Sequence, residues 1–228
     1  MLGVNRFGVY NGHMILRFVP ICFIALLCPV GSLAAQSTVI LVETVSEAVQ
    51  GGEYDLLLTV DSASAEIAVF DLTVAFNSEL LELVLVEPGE RADSLCHWTK
   101  FDYKFNSEDT RVGEYPNGRL RITGAVDSGC GFAAGEFLAS LKFRVSNEHK
   151  LECEFLPVSF FWTNELDNRM VRIGNEGELR CHFVLDHTGE EIAGDASYPS
   201  MSPGMQDVEG AVFHNGGIGV VCPDEAEQ

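Results

Sequence analysis

Cations are scarce in this sequence: 14 Lys and Arg stand against 34 Asp and Glu, for a formal net charge of −20. The balance excludes nucleic acid and anionic membrane surfaces as partners of the chain as a whole, because both need a positive field. Nucleophile motifs are missing too. There is no Gly-x-Ser-x-Gly elbow, and no CxxC or HxxxH spacing that would set two ligands on one metal ion. Acids are abundant enough for a paired-carboxylate glycosidase, but most fall in turns or at outward strand positions, where they read as a solvated face. Helical periodicity is almost absent. What remains is a chain with no expected catalytic residue, cofactor or metal.

The first 35 residues carry Arg6 and Arg17, no acid, and an apolar run from Phe18 to Val30 that ends in Gly31-Ser32-Leu33-Ala34-Ala35. This reads as a secretory signal peptide over residues 1–35, cleaved after Ala34 or Ala35, with Met14 as an alternative start. The run is short and holds Pro20 and Pro29, so stable membrane insertion is not expected after cleavage. The segment's loss leaves 12 basic residues against the 34 acids, a formal charge of −22. Residues 36–223 then form one domain, followed by the acidic end 224–228, in a protein that is secreted and extracellular, or periplasmic.

Five of the seven cysteines lie beyond the signal: Cys96, Cys130, Cys153, Cys181 and Cys222. In an oxidising compartment four pair and one is left over, and the sequence leaves the connectivity open. The preferred pairing joins Cys96 to Cys130 and Cys153 to Cys181, with Cys222 free.

Strand signals recur at short intervals. In Ile67 to Glu90, Phe70, Leu72, Val74 and Phe76 share one parity and Asp71, Thr73 and Ala75 the other, as in a half-buried strand. Asn77-Ser78-Glu79 makes a polar corner before a second apolar run, Leu80 to Val86. Similar runs occupy Val39 to Val45, Tyr54 to Val60, Phe101 to Phe105, Leu120 and Ile122 in RLRITGAV, Phe137 to Val145, Val158 to Trp162, and Gly216 to Val221. About nine strands separated by Gly, Pro and Asn turns predict an all-β fold, an antiparallel β-sandwich of jelly-roll type. Two stretches break the rhythm: a polar loop at 106–118 and an irregular excursion at 186–210.

The order of these motifs resembles the cohesin domain, the jelly-roll sandwich of cellulosomal scaffolds, related in fold to family 2 and 3 carbohydrate-binding modules. The strand, Gly51-Gly52 turn and strand of residues 39–60, the run Leu72-Thr73-Val74-Ala75-Phe76-Asn77, and Val86-Glu87-Pro88-Gly89 are similar to the family's opening. GEFLASLKFRV, Leu156-Pro157-Val158-Ser159, Asp186 to Ile192 and Asn215-Gly216-Gly217-Ile218 resemble its later strands and final turn. The likeness spans residues 38–222. The cysteines and the excursion at 193–210 depart from the usual pattern.

The resemblance implies a binding face: strands near 71–75, 100–105, 119–123 and 157–162 would share one sheet, whose outer side meets dockerin in that family. Parity then turns Asp71, Thr73 and Ala75, Lys100, Asp102 and Lys104, Arg119, Arg121 and Thr123, and Ser159 and Phe161 outward. Four of the basic residues fall there, suited to an acidic partner with Phe161 as an apolar anchor; the plainer reading is a solvated sheet decorated with Lys and Arg. The expected partner is an extracellular protein, dockerin-bearing by the resemblance. Polysaccharide is the rival, with Trp98, Tyr115 and Tyr198 expected in loops and Tyr103 and Trp162 in the core. A structural or adhesive spacer is the third reading. Around Gly189, the acids Asp186, Glu190 and Glu191 are read as a hairpin turn in preference to a calcium loop.

Overall fold

A computed structural model describes residues 38–63, 65–90, 96–107, 117–148, 150–162, 167–175, 178–192 and 210–222. Residues 1–35, expected to be a signal peptide, most of the 106–118 loop, the stretch 193–209 and the acidic end lie outside the described residues, as do Tyr115 and Tyr198. Among the described residues there are thirteen strands: β1 Thr38–Val42, β2 Thr44–Ala48, β3 Glu53–Ser62, β4 Ile67–Phe76, β5 Leu81–Pro88, β6 Trp98–Asn106, β7 Gly118–Val126, β8 Phe137–Val145, β9 Phe155–Phe160, β10 Arg169–Arg172, β11 Glu178–Leu185, β12 Gly210–His214 and β13 Gly216–Val220.

They build a sandwich. The back layer runs β5-β8-β3-β1-β12-β11 and the front layer β6-β7-β4-β9-β13-β2. Strand β10 lies along the first half of β4 and also pairs with β11, so it ties the two layers together on one side. Pairing is antiparallel except for β1 with β12, β11 with β12 and β13 with β2.

The alternation in β4 has the predicted sense: Phe70, Leu72, Val74 and Phe76 are at most 1% exposed. They meet the inward side chains of the back layer, with Phe76 edge-on to Phe143 at 4.8 Å, while Phe160 of β9 meets Phe213 of β12 in the same geometry at 4.8 Å. Trp162 lies against Phe213 and is core, as its parity implies.

The strand count exceeds nine for two physical reasons. First, the run Val39 to Val45 is not one strand. It breaks at Glu43, where the chain leaves the back layer as β1 and enters the front layer as β2. The β12–β13 segment does the same at Asn215, beside it. Glu43 donates its N–H to Leu57 O in the back layer and accepts from Gly217 N in the front, and the Asn215 N–H donates to Leu185 O while its Oδ1 accepts from Phe160 N. The crossing segments lie so close that a Cβ on Gly216 would sit 2.1 Å from Val42 O, so only glycine fits. Second, β10, β11 and β12 are short or interrupted, and period-two alternation over four or five residues is not a signal.

Two side-chain expectations change. Trp98 is not in a loop: it opens β6, packs against Phe70 and Phe132 and donates Nε1–H to Gly89 O at 3.2 Å. Tyr103 is not core. It shares the inward parity of Phe101 and Phe105, but among the described residues β6 is an edge strand with a single neighbour, and Tyr103 is 46% exposed.

The Cys96–Cys130 bridge forms as predicted, with Cα atoms 5.8 Å apart. The second bridge is Cys153–Cys222, at 4.7 Å, and not Cys153–Cys181. Antiparallel pairing of β9 with β13 places Phe155 opposite Gly219, which brings Cys153, two residues before β9, beside Cys222, two residues after β13. Cys181 sits on β11, packed against the core, and burial pushes its thiol up from 9.0 to about 12. At pH 8 the folded protein is therefore expected to leave a thiol reagent such as dithionitrobenzoate unreacted, with one equivalent released on unfolding in guanidinium. Because the folded value is the higher one, the buried thiol's contribution to stability holds below pH 9 and is lost as pH rises through 9 towards 12.

Candidate partner-binding face

The front layer brings the four predicted strands side by side. Three cross-strand rows of outward residues result: Asp102, Thr123, Asp71 and Arg169; Lys104, Arg121 and Thr73; Asn106, Arg119, Ala75 and Ser159. Lys100 lies beyond the first row, opposite Ala125, and Phe161 follows the end of β9. Arg169 is the residue that sequence reading missed, since the four-residue strand that carries it has no readable period.

Exposure is uneven across these residues. Lys100, Asp102, Lys104 and Arg121 are exposed, Asp71, Thr73, Arg119, Thr123, Ser159 and Phe161 are half-buried, and Ala75 is buried at 1%. The reason lies in Arg119. Its guanidinium stands 4.1 Å from the centroid of the Phe161 ring, and because β4 runs between β7 and β9 the side chain reaches across β4 to get there. Ala75, whose cross-strand neighbours are Arg119 and Ser159, lies under that bridge. It therefore offers a partner no surface of its own. A guanidinium over a ring face is held there by cation–π attraction.

Arg121 is paired within the sheet. Its Nε and Nη2 donate to Asp71 Oδ1 and Oδ2 at 2.7 and 2.5 Å, a forked contact along the diagonal between β7 and β4. The Asp71 carboxylate accordingly raises the Arg121 pKa, chiefly through this hydrogen bond. The pair fixes where the charges sit. Among the described residues the front face presents Lys100, Lys104, Arg119, Arg121 and Arg169, interspersed with Asp71 and Asp102, and Asp167 also lies near enough to Arg121 to raise its pKa. The back face has the opposite character: Glu53, Asp55, Glu82 and Glu87 lie around Lys142 and Arg144, and Arg144 is held by Glu53 and Glu82 at 2.5 and 2.8 Å.

Phe161 is positioned by Asn168, whose left-handed backbone (φ 53°) follows the segment after β9. Its Oδ1 accepts from Thr73 N and its Nδ2 donates to Phe161 O, both at 2.7 Å, while Phe161 N donates to Thr73 O at 2.9 Å. Asn168 thus fills the gap where β4 exchanges β10 for β9 as its neighbour.

The 186–190 segment is a side-chain-capped turn. Asp186 Oδ1 accepts from Thr188 N, Thr188 Oγ1 and Glu190 N, and these bonds, the Thr188 hydroxyl first, hold its carboxyl below the usual range. Among the described residues no group of three His, Cys, Asp or Glu is placed to hold a metal ion.

No family model matches the chain, and no curated protein matches it. Solved structures do. The sixth cohesin of scaffoldin B from Acetivibrio cellulolyticus, solved in complex with a Cel5 dockerin, superposes with a TM-score of 0.50 at 14% identity, covering 81% of this chain and 99% of that one. A cohesin of Clostridium thermocellum in a type I cohesin–dockerin complex gives 0.46 at 16%, covering 82% and 94%, and a cohesin from Clostridium acetobutylicum gives 0.47 at 11%, covering 82% and 92%. With the sandwich and its register in view, the first of these likenesses shows that the chain has the cohesin fold.

Proposed function

We propose that this chain is a non-catalytic binding module whose front face, β6-β7-β4-β9, holds an acidic surface of another extracellular protein. The observation that carries the reading is the concentration of five cations and a guanidinium-capped Phe161 on one face of a strongly acidic chain. A half-buried Arg over an aromatic ring is the type of central anchor on which binding energy concentrates. Two disulfides suit an oxidising, extracellular setting. The A. cellulolyticus cohesin of the same fold was solved with a dockerin, so a dockerin-bearing protein is the first partner to test. The polysaccharide reading is weaker, since among the described residues Trp98 and Trp162 pack inward and offer no ring for a sugar to stack on.

The test is capture of calcium-loaded dockerin modules, and of the organism's secreted proteins, on the immobilised chain. Arg119→Glu with Arg121→Glu is expected to weaken capture about a hundredfold while leaving the circular dichroism spectrum unchanged. Lys142→Glu on the back face serves as the control and is expected to change nothing. Equal capture by the Arg119/Arg121 variant would remove this face as the site, and retention on insoluble cellulose would favour the polysaccharide reading.

A further inference from the structure

Three strands have only one neighbour among the described residues: β2, β5 and β6. Sheet edges of this kind invite pairing with another chain, and proteins usually guard them. Strand β2 is only five residues long, and β5 carries a register shift between Leu83 and Leu85 and ends in Pro88. Strand β6 is different. From Lys100 to Asn106 it runs seven residues without Pro, Gly or register shift, its one irregularity lying earlier, between Trp98 and Lys100. Its inward-parity side chains Tyr103 and Phe105 remain 46% and 38% exposed.

We propose that β6 is a self-association edge, pairing antiparallel with β6 of a second copy about a two-fold axis at Tyr103. The pattern of charge selects both the occupant and the register. With Tyr103 opposite its own copy, Lys104 lies opposite Asp102 of the second molecule, and symmetry repeats the pair. Phe105 meets Phe101, and Asn106 meets Lys100. Every position is matched: two opposite-charge pairs on the outer side and a ladder of three aromatic pairs on the inner side. A centre on Asp102 sets Asp102 against itself and Lys100 against Lys104, and a centre on Lys104 sets lysine against lysine. A centre on Phe101 runs into the shift at Trp98–Lys100. Half-step registers put outward residues opposite inward ones and are excluded by the pleat. The lysines that guard this edge against other strands thus become complementary in one register of self-pairing. The resulting dimer is weak and isologous, and its two front faces form one continuous sheet.

Sedimentation velocity on the full mature chain over roughly a hundredfold range of concentration tests this directly. The wild type is expected to shift from monomer towards dimer. Asp102→Lys and Lys104→Asp each turn both attractive pairs into repulsive ones and are expected to weaken the dimer at least about tenfold. An equimolar mixture of the two variants restores complementarity across a heterodimer, and the double variant Asp102→Lys/Lys104→Asp restores it within a homodimer. Both positions are exposed, so thermal midpoints should stay near the wild type. A wild type that remains monomeric throughout overturns the proposal, as do single variants that dimerise like the wild type, which would place the contact on another surface. None of these readouts depends on partner capture by Arg119 and Arg121, so the two readings stand or fall separately.

Discussion

A chain carrying Cys153→Ser and Cys222→Ser is expected to lose about 4 kcal/mol of stability, seen as a fall of roughly 8–16 °C in thermal midpoint. The bridge spans 69 residues, and by the chain-entropy account most of its effect is to restrict the unfolded ensemble. The native structure adds to this. The bridge sits just past the point where Val220 N donates to Glu154 O, so it clamps the end of β13 to the start of β9. Its loss should release β13 first. Cys181→Ser provides the contrast, removing a half-buried thiol with no bridge, and is expected to cost far less. Differential scanning calorimetry of the two variants, with peptide mapping under non-reducing conditions, checks the connectivity and the energy together. A Cys181 variant as unstable as the double variant would contradict the assignment.

The second large effect is expected at Asn168. Replacing it with Ala leaves Thr73 N–H and Phe161 C=O without the partners they have now, inside a site where the asparagine itself is 1% exposed. Orphaning two backbone groups in this way costs about 3 kcal/mol, and denaturant unfolding should show it as a lower midpoint at unchanged slope. The positive φ adds a small penalty for Ala, so Asn168→Gly, which is at ease in that conformation, separates the backbone cost from the hydrogen-bond cost. The same substitution has a functional readout. Phe161 is held beneath Arg119 partly through its carbonyl, so capture of a partner should weaken with Asn168→Ala even at temperatures where the variant is fully folded. Unaltered capture by a destabilised protein would show that Phe161 is not an anchor.

The parts of this architecture that could be read from sequence are those in which one strand decides its own fate. Strand β4 is ten residues long with one face against the core, so its alternation announces both its existence and its inward set. What could not be read is relational. Parity says that Tyr103 points to the inner side, but not that β6 pairs on one side alone among the described residues and leaves it 46% exposed. Hydrophobic pattern says that Val39 to Val45 is extended, but Glu43 looks no different from any polar residue in a strand, and the change of layer depends on Asn215 crossing alongside. The pairing of Cys153 with Cys222 depends on β9 lying beside β13, a contact between distant parts of the chain. In the candidate site the strands and most outward residues were legible, whereas the Arg121–Asp71 fork and the reach of Arg119 to Phe161 arise from diagonal geometry that only the sheet register supplies. Ala75 shows the limit of parity most plainly: its direction was predicted, and its burial comes from a side chain two strands' width across.

The paired crossings at Glu43 and Asn215 also govern how the sandwich breathes. On that flank the two layers are joined by the polypeptide itself, reinforced by the β10–β11 connection, so the layers cannot separate there without rupturing backbone hydrogen bonds in both. On the far flank, among the described residues, β5 and β6 are not paired with each other and are tied only at one end, where Trp98 Nε1–H donates to Gly89 O. Local opening is therefore hinged: amides in β1, β12 and β13 should exchange with solvent only through global unfolding, whereas those of β6 exchange through a shallow opening that needs no other strand to move. Rigidity and adaptability are segregated to opposite sides of one small domain.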